Sequence, residues 1–460
     1  MKKFLFISAA TLCISFPTFA GDYLTNTNQN AAFLRMIARG ASIDIDGVYS
    51  NPAGLSFLSH EGFYLSLTGQ SAYQTREIDA NFPLFKQADG TNGSRLYKGT
   101  ASAPFIPSFQ GLYKKNNWVI SASFAITGGG GKASFSNGLP MFDALAMGMI
   151  TKQTDGQVTP QMYDINTSMD GKQYIYGVQL GLSYKINDWL SVFAGGRMNY
   201  FTGGYEGYLK TELKNDYTQI GQMMGLPDGK TLASIDLDCK QTGWGITPII
   251  GADLKFNKLN IGLKYEFKAN LNLENITEKM DLINVDRKYL ADYEDGVNTP
   301  SDIPSMFSAA IGYEILPTLR ASVEYHFFDD KHAGMANVTL PDGTSVAKQK
   351  TLKHGTHEYL AGMEWDITKR LTVSSGFQKN NYGLSNDFQT DTSFSCDSYS
   401  LGFGARVNLT QAWSIDVAYF WTHYNKYTKE TDSYNGTGLK GTDIYNRTNK
   451  VFGLSLNYKF

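Results

Sequence analysis

Three arginines are the side chains of this sequence best suited to bind a charged ligand. Arg197, Arg320 and Arg406 each fall on the polar face of a segment in which polar and apolar residues alternate. A guanidinium presents a fork of N–H donors that matches a carboxylate, so each arginine is a candidate partner for an acidic ligand. Glu324 and Glu364 offer the alternative, in which the charges pair with each other inside the protein. The sequence alone leaves both possibilities open.

Residues that could support catalysis or metal binding are sparse. The chain has six His, and no Ser–His pair is fixed by its spacing. No cluster of His, Cys or carboxylate residues has the spacing of metal ligands. We therefore predict no catalytic residue, no metal and no cofactor, and expect that the protein is not an enzyme. The formal net charge of −2 argues against a nucleic-acid partner.

Alternation with a period of two is the dominant pattern of the chain. In residues 174–186 one face carries only Tyr, Val, Leu and Ile, while the other carries mainly Gly, Gln, Ser and Lys. The pattern recurs in residues 259–267, 319–327 and 399–407. A period of two predicts strands with one apolar face. The polar face is rich in Gly and Ser and the apolar face carries aromatics near strand ends, which favours a membrane barrel over a soluble sandwich.

The connections between these segments alternate in length. Short turns are predicted at 114–117, 186–188, 257–258, 316–318, 366–370 and 409–412. Long polar loops are predicted at 74–99, 132–170, 207–239, 274–300, 329–353, 383–396 and 425–447. Short turns on one side and long loops on the other are typical of outer-membrane barrels. We therefore predict an all-β fold, a transmembrane antiparallel β-barrel of about 14 strands.

The two ends of the chain indicate secretion and membrane assembly. Lys2 and Lys3 precede an apolar run, and small residues end at Ala20, so residues 1–20 are predicted to be a signal peptide. The last segment alternates and closes on Phe460. A terminal aromatic resembles the signal that the outer-membrane assembly machinery reads, so we expect this machinery and membrane lipid as partners. These features place the protein in the bacterial outer membrane.

The two cysteines that remain after cleavage are too few for a disulfide framework. Cys239 and Cys396 are 157 positions apart in the sequence, and their low number favours two separate thiols. One disulfide in an oxidising periplasm is the alternative that the sequence leaves open.

The stretch at 21–59 has a different character from the alternating segments. It contains a short helical candidate at 31–40 and then reaches Asn51-Pro52-Ala53. Asn-Pro favours a turn because the residue before proline is pushed out of the helical region. About 40 residues do not make an independent domain. We predict that they form an N-terminal plug inside a barrel of residues 60–460.

Four stretches, in order along the chain, resemble the FadL family of outer-membrane transporters of long-chain fatty acids and aromatic hydrocarbons. The family's plug ending is similar to residues 40–55, which contain Asn51-Pro52-Ala53, and its second strand is similar to residues 103–109. Residues 243–245 and 302–307 resemble the starts of later strands. The resemblance implies a passive transporter of hydrophobic compounds, with long-chain fatty acids as the expected cargo, and we expect it to be a monomer.

The resemblance also implies a route. External loops capture the substrate, a pocket in the lumen receives it, and a kink in the third strand releases it sideways into lipid. The third strand from Trp118 meets four glycines, Gly128, Gly129, Gly130 and Gly131. Glycines in a strand weaken the ladder, so we predict the kink and lateral exit here, with Asn51-Pro52-Ala53 against it. A bulge or the start of a loop is the alternative.

Apolar residues in two external loops are the candidates for substrate capture. Exposed apolar side chains on loops are unfavourable unless they pack together or bind something, and the sequence favours neither outcome. The candidates are Met223, Met224, Leu226, Leu282, Ile283 and Tyr289.

Two other functions fit parts of the sequence. A general porin for small polar solutes would use the same barrel but no plug. An outer-membrane lipid hydrolase would need a Ser–His pair near the outer rim.

Overall fold

A computed structural model describes residues 28–340 and 343–460; the predicted signal peptide lies outside the described residues. Fourteen antiparallel strands form a closed barrel, in which β1 pairs with both the second strand and the last strand. Three of the fourteen strands are each divided by a break, into β7 and β8, β9 and β10, and β17 and β18. A separate hairpin, β12 with β13, belongs to one external loop.

The strands are β1 (Gly62–Asn81), β2 (Ser94–Lys115), β3 (Trp118–Phe135), β4 (Tyr163–Lys185), β5 (Leu190–Leu213), β6 (Thr231–Phe256), β7 (Leu259–Glu266), β8 (Asn272–Ile283), β9 (Asn298–Pro300), β10 (Met306–Leu316), β11 (Leu319–Phe328), β12 (Asn337–Thr339), β13 (Ser345–Ala347), β14 (Thr356–Asp366), β15 (Leu371–Asn381), β16 (Ser398–Asn408), β17 (Trp413–Tyr424), β18 (Tyr427–Thr431) and β19 (Gly441–Lys459). The α-helices are α1 (Ala31–Met36), α2 (Gly47–Ser50), α3 (Pro83–Asp89), α4 (Pro140–Gln153) and α5 (Thr218–Met223). The 3-10 helices are η1 (Pro52–Phe57), η2 (Asn215–Tyr217), η3 (Arg287–Tyr293), η4 (Asp330–His332), η5 (Lys348–Thr351) and η6 (Tyr434–Gly436).

The outer surface of the barrel is apolar because alternate residues of every strand point away from the lumen. Leu180 and Leu182 of β4, for example, are 60 % and 45 % exposed, while Gln179 before them and Ser183 after them are buried in the lumen. Such side chains are stable only against lipid. No helix among the described residues is long and apolar enough to cross a membrane.

The predicted turns lie between strands as expected, and so do the predicted loops 329–353 and 383–396, but the other five predicted loops are too long. For example, β1 continues to Asn81 and β2 begins at Ser94, so most of the predicted loop 74–99 is strand. Beyond the lipid the outward face no longer needs apolar residues, and ion pairs across strands replace them. Lys98 lies 3.0 Å from Glu77 on the neighbouring strand, and Lys132 lies 2.7 Å from Asp170. Polar strands of this kind lack the apolar face by which a strand is recognised.

Residues 28–58, here called the N-terminal segment, lie inside the barrel. They contain α1, α2 and η1, which pack on β14–β17 and β19 on one side and on β3–β6 on the other. Lumen-facing glycines make room for the backbone of the segment. A Cβ on Gly362 would lie 2.1 Å from the carbonyl oxygen of Met36, and one on Gly376 would lie 2.0 Å from the same atom. The glycines of the polar strand faces therefore accommodate this segment.

Candidate functional site

Ion pairs join the N-terminal segment to the barrel wall. The buried Arg35 lies 2.6 Å from Glu364 of β14 and 2.9 Å from Asp416 of β17. Arg39 lies 2.7 Å from Asp46 within the segment and 3.2 Å from Glu364. Buried charges of this kind must be paired because water cannot solvate them. The network forms a polar layer that fills this part of the lumen.

The three arginines predicted as carboxylate partners are all engaged with carboxylates of the protein. Both terminal nitrogens of Arg197 bond Glu266 of β7, at 2.8 and 2.9 Å, and its guanidinium lies 4.6 Å from the ring centre of Tyr49. The structure therefore places Arg197 in the internal pairing that the sequence left open as the alternative.

Arg320 and Arg406 are engaged in the same way. The Arg320 guanidinium bonds the two oxygens of Asp366 at 2.8 and 3.1 Å, and its Nε lies 3.6 Å from Glu364. Arg406 bonds Asp416 at 2.9 and 3.0 Å and also contacts Asp44. Of the two predicted acidic partners, Glu364 joins this network. Glu324 instead accepts from the Gly40 N–H and contacts His326.

The Asn51-Pro52-Ala53 corner is buried against β4, β5 and β6. The Asn51 side chain bonds Asp253 of β6 and accepts from the Gly54 N–H at 3.2 Å. Hydroxyl groups of Ser183 and Ser191 donate to the carbonyls of Pro52 and Ala53. We expected this corner to lie against the bent part of β3. The 3-10 helix η1, which contains Pro52 and Ala53, does contact β3, but the Asn51 side chain bonds β6 and the turn of its own helix.

The glycine run lies where the wall of the barrel is interrupted. The β2–β3 ladder runs to the pair Phe109 and Phe124 and resumes, for the described residues, only at Ala101 and Ala133. We call the interval, residues 102–108 of β2 and 125–132 of β3, the β2–β3 gap. Gly129 and Gly131 have φ values of +90° and +74°, which favour glycine. The β3–β4 ladder also shifts register at Gly128 and Gly131.

Both strands contribute to this interruption. Pro104 and Pro107 lie on the β2 side of the gap. Proline has no N–H to donate to a ladder, so it is rare in the middle of a sheet. The prolines in residues 103–109 are therefore a second sequence signal of the interruption, besides the glycines of β3.

An apolar belt lines the lumen beside the gap. It consists of Phe201, Leu271 and Leu273, which are buried, and of the half-buried Ile175. Ile175 is the register partner of Gly128 on one side and of Phe201 on the other, so the belt begins at the glycine run. Leu271 belongs to the break between β7 and β8. An apolar cargo at this height would contact hydrocarbon side chains.

The extracellular end of the barrel is closed by a large apolar cluster, here called the extracellular cluster. Its core includes Phe85 of α3, Met147 and Ile150 of α4, Tyr205 of β5 and Leu290 of η3. Most of the extracellular loops contribute to it.

The predicted capture residues divide into an exposed and a packed group. Met223 is 85 % exposed and Ile283 is 48 % exposed. Met224, Leu226 and Leu282 are half-buried and pack on the extracellular cluster, and Tyr289 is buried. The two loops carry the short helices α5 and η3. Each of the two loops keeps one exposed candidate, Met223 in the first and Ile283 in the second, so accessible apolar surface remains on both loops.

Two carboxyl groups are buried close together in the extracellular cluster. The Tyr445 hydroxyl lies 2.9 Å from Asp391 and 3.3 Å from Asp443, and the Met141 N–H donates to Asp391 at 2.8 Å. Burial, with the neighbouring charge of Asp391, raises the pKa of Asp443 to about 8. Cys396 lies in the same cluster, and neither it nor Cys239 forms a disulfide.

Comparison with known proteins agrees with this architecture. The family model described as outer membrane protein transport protein (OMPP1/FadL/TodX) matches residues 11–460. The chain belongs to this family. The protein is therefore located in the bacterial outer membrane. It is a transport channel rather than an enzyme.

Solved structures share the fold at low sequence identity. A Pseudomonas aeruginosa FadL homologue has a TM-score of 0.66 at 16% identity, covering 95% of this chain and 99% of its own. The Ralstonia pickettii toluene transporter TbuX has a TM-score of 0.57 at 15% identity, covering 94% and 100%. The P. putida toluene transporter TodX has a TM-score of 0.54 at 12% identity, covering 91% and 94%. No curated protein sequence matches the chain at a significant level.

Proposed function

We propose that this FadL-family protein carries hydrophobic compounds passively across the outer membrane and releases them sideways into lipid. Cargo adsorbs to the exposed apolar residues of the external loops, passes the extracellular cluster and reaches the apolar belt. It then leaves through the β2–β3 gap. The observation that carries the proposal is the shared height of the belt and the gap, since Ile175 of the belt is the register partner of Gly128.

The polar layer below the belt favours a lateral route over an axial one. An apolar molecule that continued along the axis would have to displace the paired charges of Arg35, Arg39 and Glu364. Exposing or unpairing such buried charges costs several kcal/mol, on the order of 3–5. Entering lipid instead removes apolar surface from water, which is favourable. The same filled lumen makes a general porin for polar solutes a poorer fit.

Long-chain fatty acids and aromatic hydrocarbons are the two candidate cargo classes. Carboxylates of the protein already pair with the guanidinium groups of Arg197, Arg320 and Arg406. A fatty-acid carboxylate would have to compete with these internal partners. Two of the structures that share the fold are named toluene transporters. These points favour a cargo without a carboxylate, and uptake of a matched fatty acid and aromatic hydrocarbon would separate the two classes.

A disulfide across the gap tests the lateral route directly. A Cβ on Gly131 would lie 3.9 Å from the Cβ of Ala103, within the range of about 3.5–4.5 Å that a disulfide needs. The double variant Ala103→Cys/Gly131→Cys should therefore join β2 to β3. We expect oxidation to lower uptake of hydrophobic compounds at least about tenfold, and reduction to restore it. Cysteine at 131 must adopt a positive φ, at a cost of about 1–2 kcal/mol.

A second pair controls for the effect of a cystine in the barrel wall. Ala361 and Phe377 are directly opposite in the uninterrupted β14–β15 ladder. The variant Ala361→Cys/Phe377→Cys should transport normally in both redox states. If the oxidised gap variant also transports normally, with disulfide formation verified by mass spectrometry, the lateral route is wrong.

A further inference from the structure

The backbone of Ile126 loses its expected partner in the β2–β3 gap. The register that pairs Phe109 with Phe124 would place Pro107 opposite Ile126. In an antiparallel ladder every second opposed pair exchanges an N–H and a carbonyl, and the Ile126 N–H and carbonyl both face the gap, since both bond Gln29 there. Pro107 has no N–H, so it cannot donate to the Ile126 carbonyl. A backbone donor and acceptor beside lipid must nevertheless be satisfied from within the protein.

The side chain of Gln29 takes the place of that missing partner. The Ile126 N–H donates to Gln29 Oε1 at 3.1 Å, and Gln29 Nε2 donates to the Ile126 carbonyl. A primary amide has one acceptor oxygen and two N–H donors, so a single glutamine can replace both halves of a peptide pair. Gln29 is buried, with 6 % of its surface exposed.

The main chain of Gln29 is held by the opposite side of the gap. Its carbonyl accepts from Gln70 Nε2 of β1 at 2.8 Å and from the Ser108 hydroxyl of β2 at 3.5 Å. The residue is therefore attached to β1 and β2 through its backbone and to β3 through its side chain. It spans the interval in which β2 and β3 do not pair with each other.

We propose that the Gln29 side-chain amide is the latch of the lateral opening, released when cargo passes from the belt into lipid. The inference rests on the lateral route proposed above. Release breaks two hydrogen bonds to one residue and leaves the rest of the N-terminal segment in place. The ion pairs of Arg35 and Arg39 continue to block the axis, so the latch admits apolar cargo without opening an aqueous pore.

Two substitutions of Gln29 test the latch. Gln29→Ala removes both bonds to Ile126. Gln29→Glu keeps the shape and an acceptor for the Ile126 N–H, but as a carboxylate it has no donor for the carbonyl and places an oxygen against it. Both should favour the open gap and raise the initial transport rate of a hydrophobic fluorescent probe about tenfold in proteoliposomes, given the loss of one or two net hydrogen bonds. Ion conductance in planar bilayers should not change.

Ser191→Ala is the matched control, because it removes a hydrogen bond between the wall and the N-terminal segment at Ala53, away from the gap. It should leave the transport rate within about twofold of the wild type. Retention of folded mobility in detergent gels verifies that each variant forms a barrel.

The outcomes separate the latch from the lateral route itself. If Gln29→Ala and Gln29→Glu both transport within twofold of the wild type while the oxidised cysteine pair blocks transport, the route stands and the latch is wrong. An increase in ion conductance in parallel with transport would show loss of the whole segment, and would also overturn the latch. If the oxidised cysteine pair does not lower transport, the lateral route is wrong, and the latch that rests on it is wrong as well.

Discussion

Replacing Glu364 by Gln should loosen the N-terminal segment from the barrel. Glu364 contacts three arginines: Arg35 at 2.6 Å, Arg39 at 3.2 Å and Arg320 at 3.6 Å. Losing one member of a buried ion-pair network typically costs about 3–5 kcal/mol. Arg35 keeps Asp416 as a partner at 2.9 Å, so we take the lower end. About 3 kcal/mol corresponds to a rise of about 100-fold in the fraction of molecules whose segment is undocked.

Cysteine labelling measures this fraction. Ala32 is fully buried in α1, so Ala32→Cys should react with a water-soluble thiol reagent only when the segment undocks. The variant Glu364→Gln should increase the labelling rate about 100-fold in this background. Glu77→Gln is the control, because the exposed pair of Glu77 with Lys98 contributes at most about 1 kcal/mol. A rate increase below about fivefold for Glu364→Gln would refute the anchoring role assigned to the network.

Two further predictions concern the extracellular end. Because burial raises the pKa of Asp443 to about 8, the folded state binds a proton that the unfolded chain releases near its ordinary pKa of about 4; this stabilisation is complete below about pH 4 and is lost as the pH rises to 8. The thermal unfolding midpoint of the wild type should therefore fall between pH 6 and pH 9, and Asp443→Asn should fall less; equal slopes would contradict the assignment. The double variant Met223→Ser/Ile283→Ser should raise the half-saturating cargo concentration several-fold with an unchanged maximal rate. The control Leu439→Ser, at a residue 39 % exposed on another loop, should change neither quantity. An unaltered half-saturating concentration in the double variant would exclude Met223 and Ile283 from capture.

The barrel was predictable because its signal is local. Each strand shows its lipid face within about ten residues, and each short turn separates two such strands. The length by which the strands extend beyond the membrane was not predictable in the same way. There the outward face carries pairs such as Glu77 with Lys98, and polar residues on both faces look like a loop until the partner strand is known.

The contents of the lumen were harder to predict because they depend on residues far apart in the chain. The latch joins Gln29 to Ile126, 97 positions away, and Arg35 meets Asp416 at a separation of 381. A lumen arginine has the same local sequence whether it binds cargo or a carboxylate of the wall. The interruption of the wall was an intermediate case. Glycines in β3 indicated it from one side, and prolines in β2 would have indicated it from the other.

The position of the gap relative to the layers of the lumen explains why a sideways exit suits this barrel. Arg197 and Glu266 form a polar layer next to Tyr49 of the N-terminal segment. Phe201 lies four residues further along β5, or about 13 Å at 3.3 Å per residue. Cargo that reaches Phe201 therefore meets paired charges below it and hydrocarbon side chains around it. At that height the β2–β3 wall combines lost pairing with a side-chain bond, that of Gln29 to Ile126. In the proposed lateral route, the paired charges below the belt and the interrupted wall beside it, and not the barrel shape alone, would set the direction of exit.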